Sequence, residues 1–253
     1  MSDSRATSWR EEWRVAGRPT LTEHAVHVWR VALDEDWRAE AYWRLLSDDE
    51  RNRAARCVTA THRRRYVVSH GALRVLLADY VGVAPENIAY EIGAHGKPAL
   101  AAVQRSPALV EFNLSHSEDI ALVAVARARP VGVDVQHWSP DVEHLRLAER
   151  FFSPRERDAL RALADTSDGI TAGFFAAWTR KEAYLKASGD GIARGLQHFD
   201  VSLSPGERAR LLADRLDDDA TTRWSMESFE PAPRYSAAVV VASPLHDVER
   251  FAL

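Results

Sequence analysis

The sequence predicts an α+β protein built as two packed halves. Three observations carry this: strand-like alternation and helix-like periodicity occur in both halves, no Pro-rich or Gly/Ser-rich linker divides the chain, and 46% of the 253 residues are apolar, enough for a sizeable core. The boundary is expected near Val125 to Val131, giving a polar leader (1–20), a first half (21–127) and a second half (128–253). No sequence repeat is strong enough to establish duplication.

The elements follow in order. His24 to Leu33, HAVHVWRVAL, alternates apolar and polar residues as a half-buried strand does. Ser47 then opens a helix with an acidic first turn, SDDERNRAARC. From Thr61 to Val83 the positions Tyr66, Leu73, Leu76, Leu77 and Tyr80 recur at helical spacing, with Gly82 near the stop. The run Arg63, Arg64, Arg65 on that helix is either a solvated face or an anion site. Residues 112–126 and 131–136 are expected as two strands joined by Arg127 to Pro130. The second half continues with a helix through Arg155 to Leu163, a longer one from about Gly173 to Ala187, and closing strands in WSMESFE and RYSAAVVVA separated by PAP.

Composition excludes several classes. A formal charge of -4 argues against general affinity for nucleic acid, which needs a basic surface. The N-terminus lacks the apolar stretch of a secretion signal, and no later run is long and apolar enough for a membrane span. A single cysteine, Cys57, excludes an internal disulfide and a thiolate metal cluster, which together with the foregoing predicts a cytoplasmic protein. Only three of the 33 cationic residues are lysine: Lys97, Lys181 and Lys186. These mark candidate sites for a compact ammonium rather than a planar fork.

All three fall in chemically suggestive segments. In VGVDVQ the strand period puts Val131, Val133 and Val135 on one face and Gly132, Asp134 and Gln136 on the other. In WTRKEAYLKASGDG, Trp178, Glu182 and Lys186 share one helical stripe, so a carboxylate and an ammonium lie beside a large aromatic. A metal with a phosphate would satisfy both. HGKPAL presents Lys97 on a rigid turn with Pro98, and FNLSHS offers Ser115 and His116 as short donors. The spacing of a Walker loop is absent.

In the order GKP, NLSHS, GVDV, FFSPRE and W-x-x-KE-x-x-x-K, these residues resemble the Sfp-type 4'-phosphopantetheinyl transferases, over roughly residues 45–200. The resemblance implies the fold of that family, two similar α+β half-domains in a pseudo-twofold arrangement, with coenzyme A in the cleft of a monomer. It implies transfer of the phosphopantetheine arm from coenzyme A to a serine of an acyl or peptidyl carrier protein in polyketide or nonribosomal peptide biosynthesis, releasing 3',5'-ADP. By position, Asp134 and Glu182 are the implied Mg2+ ligands, with Gln136 where many members carry another acid. Lys186 is the implied cation at the reacting phosphate. Lys97, Pro98, Ser115 and His116 correspond to the nucleotide end, joined by Arg53 and by Arg65 or Arg64. Glu156 and Glu182 are both candidates for the base that accepts the serine proton; Glu156 is favoured because Glu182 is committed to the metal. The alternative for Glu156 is a capping-box acid after Ser153 and Pro154, and Lys181 is either a site residue or a structural one. A coenzyme A-binding homologue without transfer activity and an unrelated Mg2+-dependent phosphohydrolase are the competing functions.

Overall fold

Apolar side chains of strand β2 (Ala25–Ala32) alternate between two cores, and this sets the layer order of the molecule. The computed structural model describes residues 13–15, 19–93, 96–105, 109–139, 143–164, 168–204, 206–245 and 247–253. Most of the polar leader and His95 lie outside the described residues. In the first half, β1 (Arg14–Val15) and β2 precede the helices α1 (Asp36–Trp43), α2 (Asp48–Ala55) and α3 (Ala60–Val81). A small ladder of β3 (Tyr90–Ile92) and β4 (Pro98–Leu100) follows, then α4 (Ala102–Arg105), β5 (Val110–Ser117) and β6 (Ile120–Arg127). The second half holds β7 (Val131–His137), α5 (His144–Phe151), α6 (Pro154–Arg161), α7 (Gly169–Ser188), β8 (Phe199–Val201), β9 (Leu211–Asp214), α8 (Ala220–Arg223), β10 (Trp224–Phe229), β11 (Tyr235–Ala242) and β12 (Asp247–Ala252).

A five-stranded sheet runs β1-β12-β2-β6-β5 and a three-stranded sheet runs β10-β11-β7. They pack face to face: Val26, Val28, Leu122 and Ala124 of the first share one core with Val131, Val133, Val135 and Val239 of the second. On the outer face of the first sheet, Leu73, Leu76 and Leu77 of α3 cover Trp29, Val123 and Phe251. On the outer face of the second, Ala183, Tyr184 and Leu185 of α7 cover Met226, Ala238 and Val240. The layers are therefore helix, sheet, sheet, helix. Each long helix stops at a left-handed glycine, Gly82 (φ 74°) and Gly189 (φ 78°), where a side chain would be strained.

The structure departs from the sequence expectations in three places. Residues 112–126 are not one strand but a hairpin, with Ser117 paired to Ile120 across Glu118 and Asp119. Glu118 takes φ 47° without the glycine or asparagine that usually announces such a turn. The closing strand β12 crosses back and pairs parallel with β2, so residues 247–252 belong to the first half's sheet although they end the second half of the sequence. Its sequence, DVERFA, carries too few apolar residues to read as a strand. The long helix begins at Gly169, earlier than its apolar pattern suggested.

Candidate active site

Gly132 explains how the catalytic candidates meet. A Cβ there would lie 2.2 Å from the Ala183 carbonyl and 2.4 Å from the Ala187 amide, so only glycine lets α7 press onto β7. The contact sets Lys186 beside Asp134. The lysine Nζ donates to Asp134 Oδ1 at 2.6 Å, to Ser115 Oγ at 3.0 Å and to the Val133 carbonyl at 3.2 Å. Ser115 Oγ also donates to Asp134 Oδ1 at 2.8 Å, and Gln136 Nε2 donates to Oδ2 at 3.2 Å. Asp134 itself is only 2% exposed, so its charge is held by these donors rather than by water.

The seam between the halves is built by alternate residues of β5. Asn113 Oδ1 accepts from the Val133 amide at 2.9 Å, Ser115 meets Asp134, and Ser117 Oγ accepts from the His137 amide at 3.0 Å. Asn113 and Ser117 were missed in the sequence, although their period of two with Ser115 marks one strand face. Ser115 is thus a partner of Asp134 and Lys186 at this seam.

Glu182 lies on the same stripe of α7, partly buried and without a hydrogen-bond partner among the described residues. Burial raises its carboxyl pKa, the negative charge of Asp134 raises it further, and Lys186 opposes both. Among the described residues no three His, Cys, Asp or Glu side chains converge, so the donors at this place are two carboxylates and the Gln136 amide. That donor set suits Mg2+, which takes one or two carboxylates and fills its octahedron with phosphate oxygens and water. Two carboxylates close enough to interact electrostatically fit a divalent cation.

His116 points to the opposite side of β5 from Ser115, toward α3. Protein packed around the ring lowers its pKa, and the charges of Lys186 and Arg65 lower it further, although its outer edge is open to solvent. Arg65 donates to Asp119 Oδ1 at 3.0 Å and Glu118 Oε2 at 2.7 Å. Arg64 turns away to the Leu33 carbonyl and Asp36, which favours Arg65 of the two. Arg53 is exposed near Tyr66 and His70, whose rings stack at 3.8 Å. His70 lies close enough to His116 for the two imidazoles to interact electrostatically, a neighbour that the sequence offered no motif to find.

Lys97 and Pro98 sit elsewhere than a simple phosphate turn. Pro98 opens β4, and Lys97 Nζ crosses between halves to donate to the carbonyls of Val131 at 2.9 Å and Lys186 at 2.7 Å. Glu156 is not in the cleft. It is 2% exposed and closes a capping box with Ser153, donors from the Ser153 and Val201 amides occupying both oxygens. Lys181 Nζ completes the arrangement at 2.8 Å and donates to the Leu196 and Phe199 carbonyls. Both acid and lysine are locked in the core: for Glu156 this is the capping-box alternative rather than the role favoured from sequence, and for Lys181 it is the structural one of the two roles left open.

Two family models divide the chain between them: the 4'-phosphopantetheinyl transferase superfamily matches residues 130–240, and the N-terminal 4'-phosphopantetheinyl transferase model matches 10–128. The chain is 39% identical to the 4'-phosphopantetheinyl transferase HetI of Nostoc sp., covering 88% of this chain and 90% of that protein. Identity is 33% with the 4'-phosphopantetheinyl transferase psf-1 of Bacillus pumilus, covering 79% and 80%. It is 25% with the 4'-phosphopantetheinyl transferase Sfp of Bacillus subtilis, covering 81% and 86%.

Proposed function

This chain belongs to the 4'-phosphopantetheinyl transferases, and from that premise we propose how its own residues move the phosphopantetheine arm of coenzyme A to the serine of a carrier protein. The observation that carries the proposal is the contact of Ser115 of the first half with Asp134 and Lys186 of the second, which ties a carboxylate and an ammonium to the seam between the halves.

We assign Asp134 and Glu182 to Mg2+, with the Gln136 amide oxygen as the neutral third donor; its nitrogen now faces Asp134, and a turn of the amide exchanges the two atoms. When bound, the metal neutralises pyrophosphate charge. Lys186, held by Asp134 and Ser115, is assigned to the charge that develops as 3',5'-ADP departs. The serine oxygen forms the new bond to the pantetheine-side phosphorus while the bond to 3',5'-ADP breaks. The serine proton needs an acceptor at the cleft. With Glu156 closed inside its capping box, Glu182 is the remaining candidate of the two, acting through water. His116 and Arg65, with Arg53 at the rim, are proposed for the 3'-phosphate. An imidazole held neutral there gains a proton when the phosphate arrives.

We place the enzyme in the cytoplasm as a monomer, its cleft formed within one chain. No described helix is long and apolar enough to cross a membrane. Incubation with coenzyme A, Mg2+ and a panel of acyl and peptidyl apo-carriers, read by intact-protein mass spectrometry, tests the function. Mass gain on one or more carriers is expected. Release of 3',5'-ADP without any carrier would favour a hydrolase, and binding of coenzyme A without either product a non-transferring homologue.

A further inference from the structure

α7 divides the helix-facing side of the three-stranded sheet. Toward β7 it presents Glu182 and Lys186; toward the edge strand β10 it presents Ala172, Ala176 and Arg180, four residues apart along one stripe. Beside that second stripe lies a cavity of about 830 Å³, with Trp138, Trp224 and Met226 among its walls. None of the residues assigned to the transfer reaction lines it.

Arg180 is 5% exposed and forms part of the cavity wall. Its Nε donates to Ser228 Oγ at 2.9 Å, and its Nη1 donates to the Ser202 carbonyl at 2.5 Å and the Ser202 hydroxyl at 3.2 Å. Nη2 has no hydrogen-bond partner among the described residues, and no described carboxylate pairs with the guanidinium. The other deeply buried cations differ. Arg74 holds Glu50 at 2.7 Å and Lys181 holds Glu156 at 2.8 Å. Nη2 is not among the buried atoms left without a partner, so it opens onto the cavity, where an anion can meet it. Burial lowers the Arg180 pKa to about 10, opposed by the charge of Glu207.

We propose that this cavity binds an amphipathic monocarboxylate, its carboxylate on the free Nη2 of Arg180 and its apolar body along Trp138, Trp224 and Met226. The two N–H groups of Nη2 suffice for a carboxylate but are fewer than the donors a phosphate takes. Glu207 on the cavity wall, paired with Arg210 at 3.4 Å, adds a negative charge that weighs against dianions.

Calorimetric titration of the intact enzyme with octanoate, 1-octanol and octyl phosphate tests this. Octanoate is expected to bind saturably, about tenfold more tightly than 1-octanol, the effect of one charge-assisted hydrogen bond. Octyl phosphate should bind more weakly than octanoate. Arg180→Met should reduce octanoate to the level of the alcohol. Ala176→Phe, which narrows the cavity one helical turn from Arg180, should weaken both and leave carrier modification unchanged. Equal affinity for acid and alcohol, undiminished binding by Ala176→Phe, or no saturable binding of octanoate up to about 10 mM would overturn the proposal. Tighter binding of octyl phosphate would overturn the carboxylate assignment. If Arg180→Met does not fold, the acid-to-alcohol ratio and Ala176→Phe decide.

Discussion

Lys97 Nζ donates to the Lys186 carbonyl at 2.7 Å, so a lysine of the first half caps the end of the helix that carries the transfer lysine of the second. An ammonium at a helix C-terminus satisfies carbonyls that have no partner within the helix. Lys97→Met strands two acceptors and should cost about 1–3 kcal/mol in urea denaturation. It should lower kcat for transfer more than it raises KM for coenzyme A. A raised KM with unchanged stability would return Lys97 to the nucleotide end.

Lys181→Met should be among the most destabilising single changes, about 3–5 kcal/mol, because it leaves the Glu156 carboxylate buried and uncompensated. Glu156→Gln keeps the shape and should retain transfer per folded molecule within about tenfold. A Glu156→Gln protein that folds normally yet has lost transfer would restore Glu156 as the base.

The motif around Glu156 shows where sequence legibility ended. FFSPRE contained a capping box that could be read from spacing, and the structure forms it; whether that acid also faced the cleft depended on Lys181, 25 residues on, which no local pattern reveals. By contrast, the alternation in VGVDVQ placed Asp134 and Gln136 opposite the valines, and the Glu182 to Lys186 stripe was legible from helical period alone. The partnership of Ser115 with Asp134 was not, because it arises only when strands β5 and β7 of the two packed sheets come together. The same limit hid β12, whose place beside β2 comes from tertiary pairing rather than from its polar sequence.

His27 gives the fold an acid-sensitive core. It is fully buried, its Nδ1 lies 2.7 Å from Tyr80 Oη, and Trp29 Nε1 donates to the same hydroxyl at 2.8 Å, so the imidazole accepts and stays neutral. Burial lowers its pKa to about 4, with Asp247 opposing. The unfolded chain therefore binds this proton first, and the stability contributed above the unfolded value, near 6.5, is lost as pH falls toward 4. Between pH 7.5 and 5.0 His27 should account for about 2 kcal/mol of lost stability. His27→Gln should flatten that part of the profile; an equally steep profile would remove His27 as its source.

Gln136→Glu should lower the Mg2+ concentration needed for half-maximal transfer, because it adds a charge beside the Asp134 oxygen that Gln136 now touches. Gln136→Ala should be mild, about tenfold or less, since the charged ligands remain. An unchanged or raised Mg2+ requirement in Gln136→Glu would mean that position 136 does not contact the metal.

Single-turnover transfer from coenzyme A to an apo-carrier, measured for Asp134→Asn, Glu182→Gln and Lys186→Met with folding verified by denaturation, tests the cluster at the seam most directly. Each change should lower the rate at least about 100-fold, corresponding to about 3 kcal/mol of transition-state stabilisation. Near-wild-type transfer by any one of the three folded variants would contradict its place in the reaction.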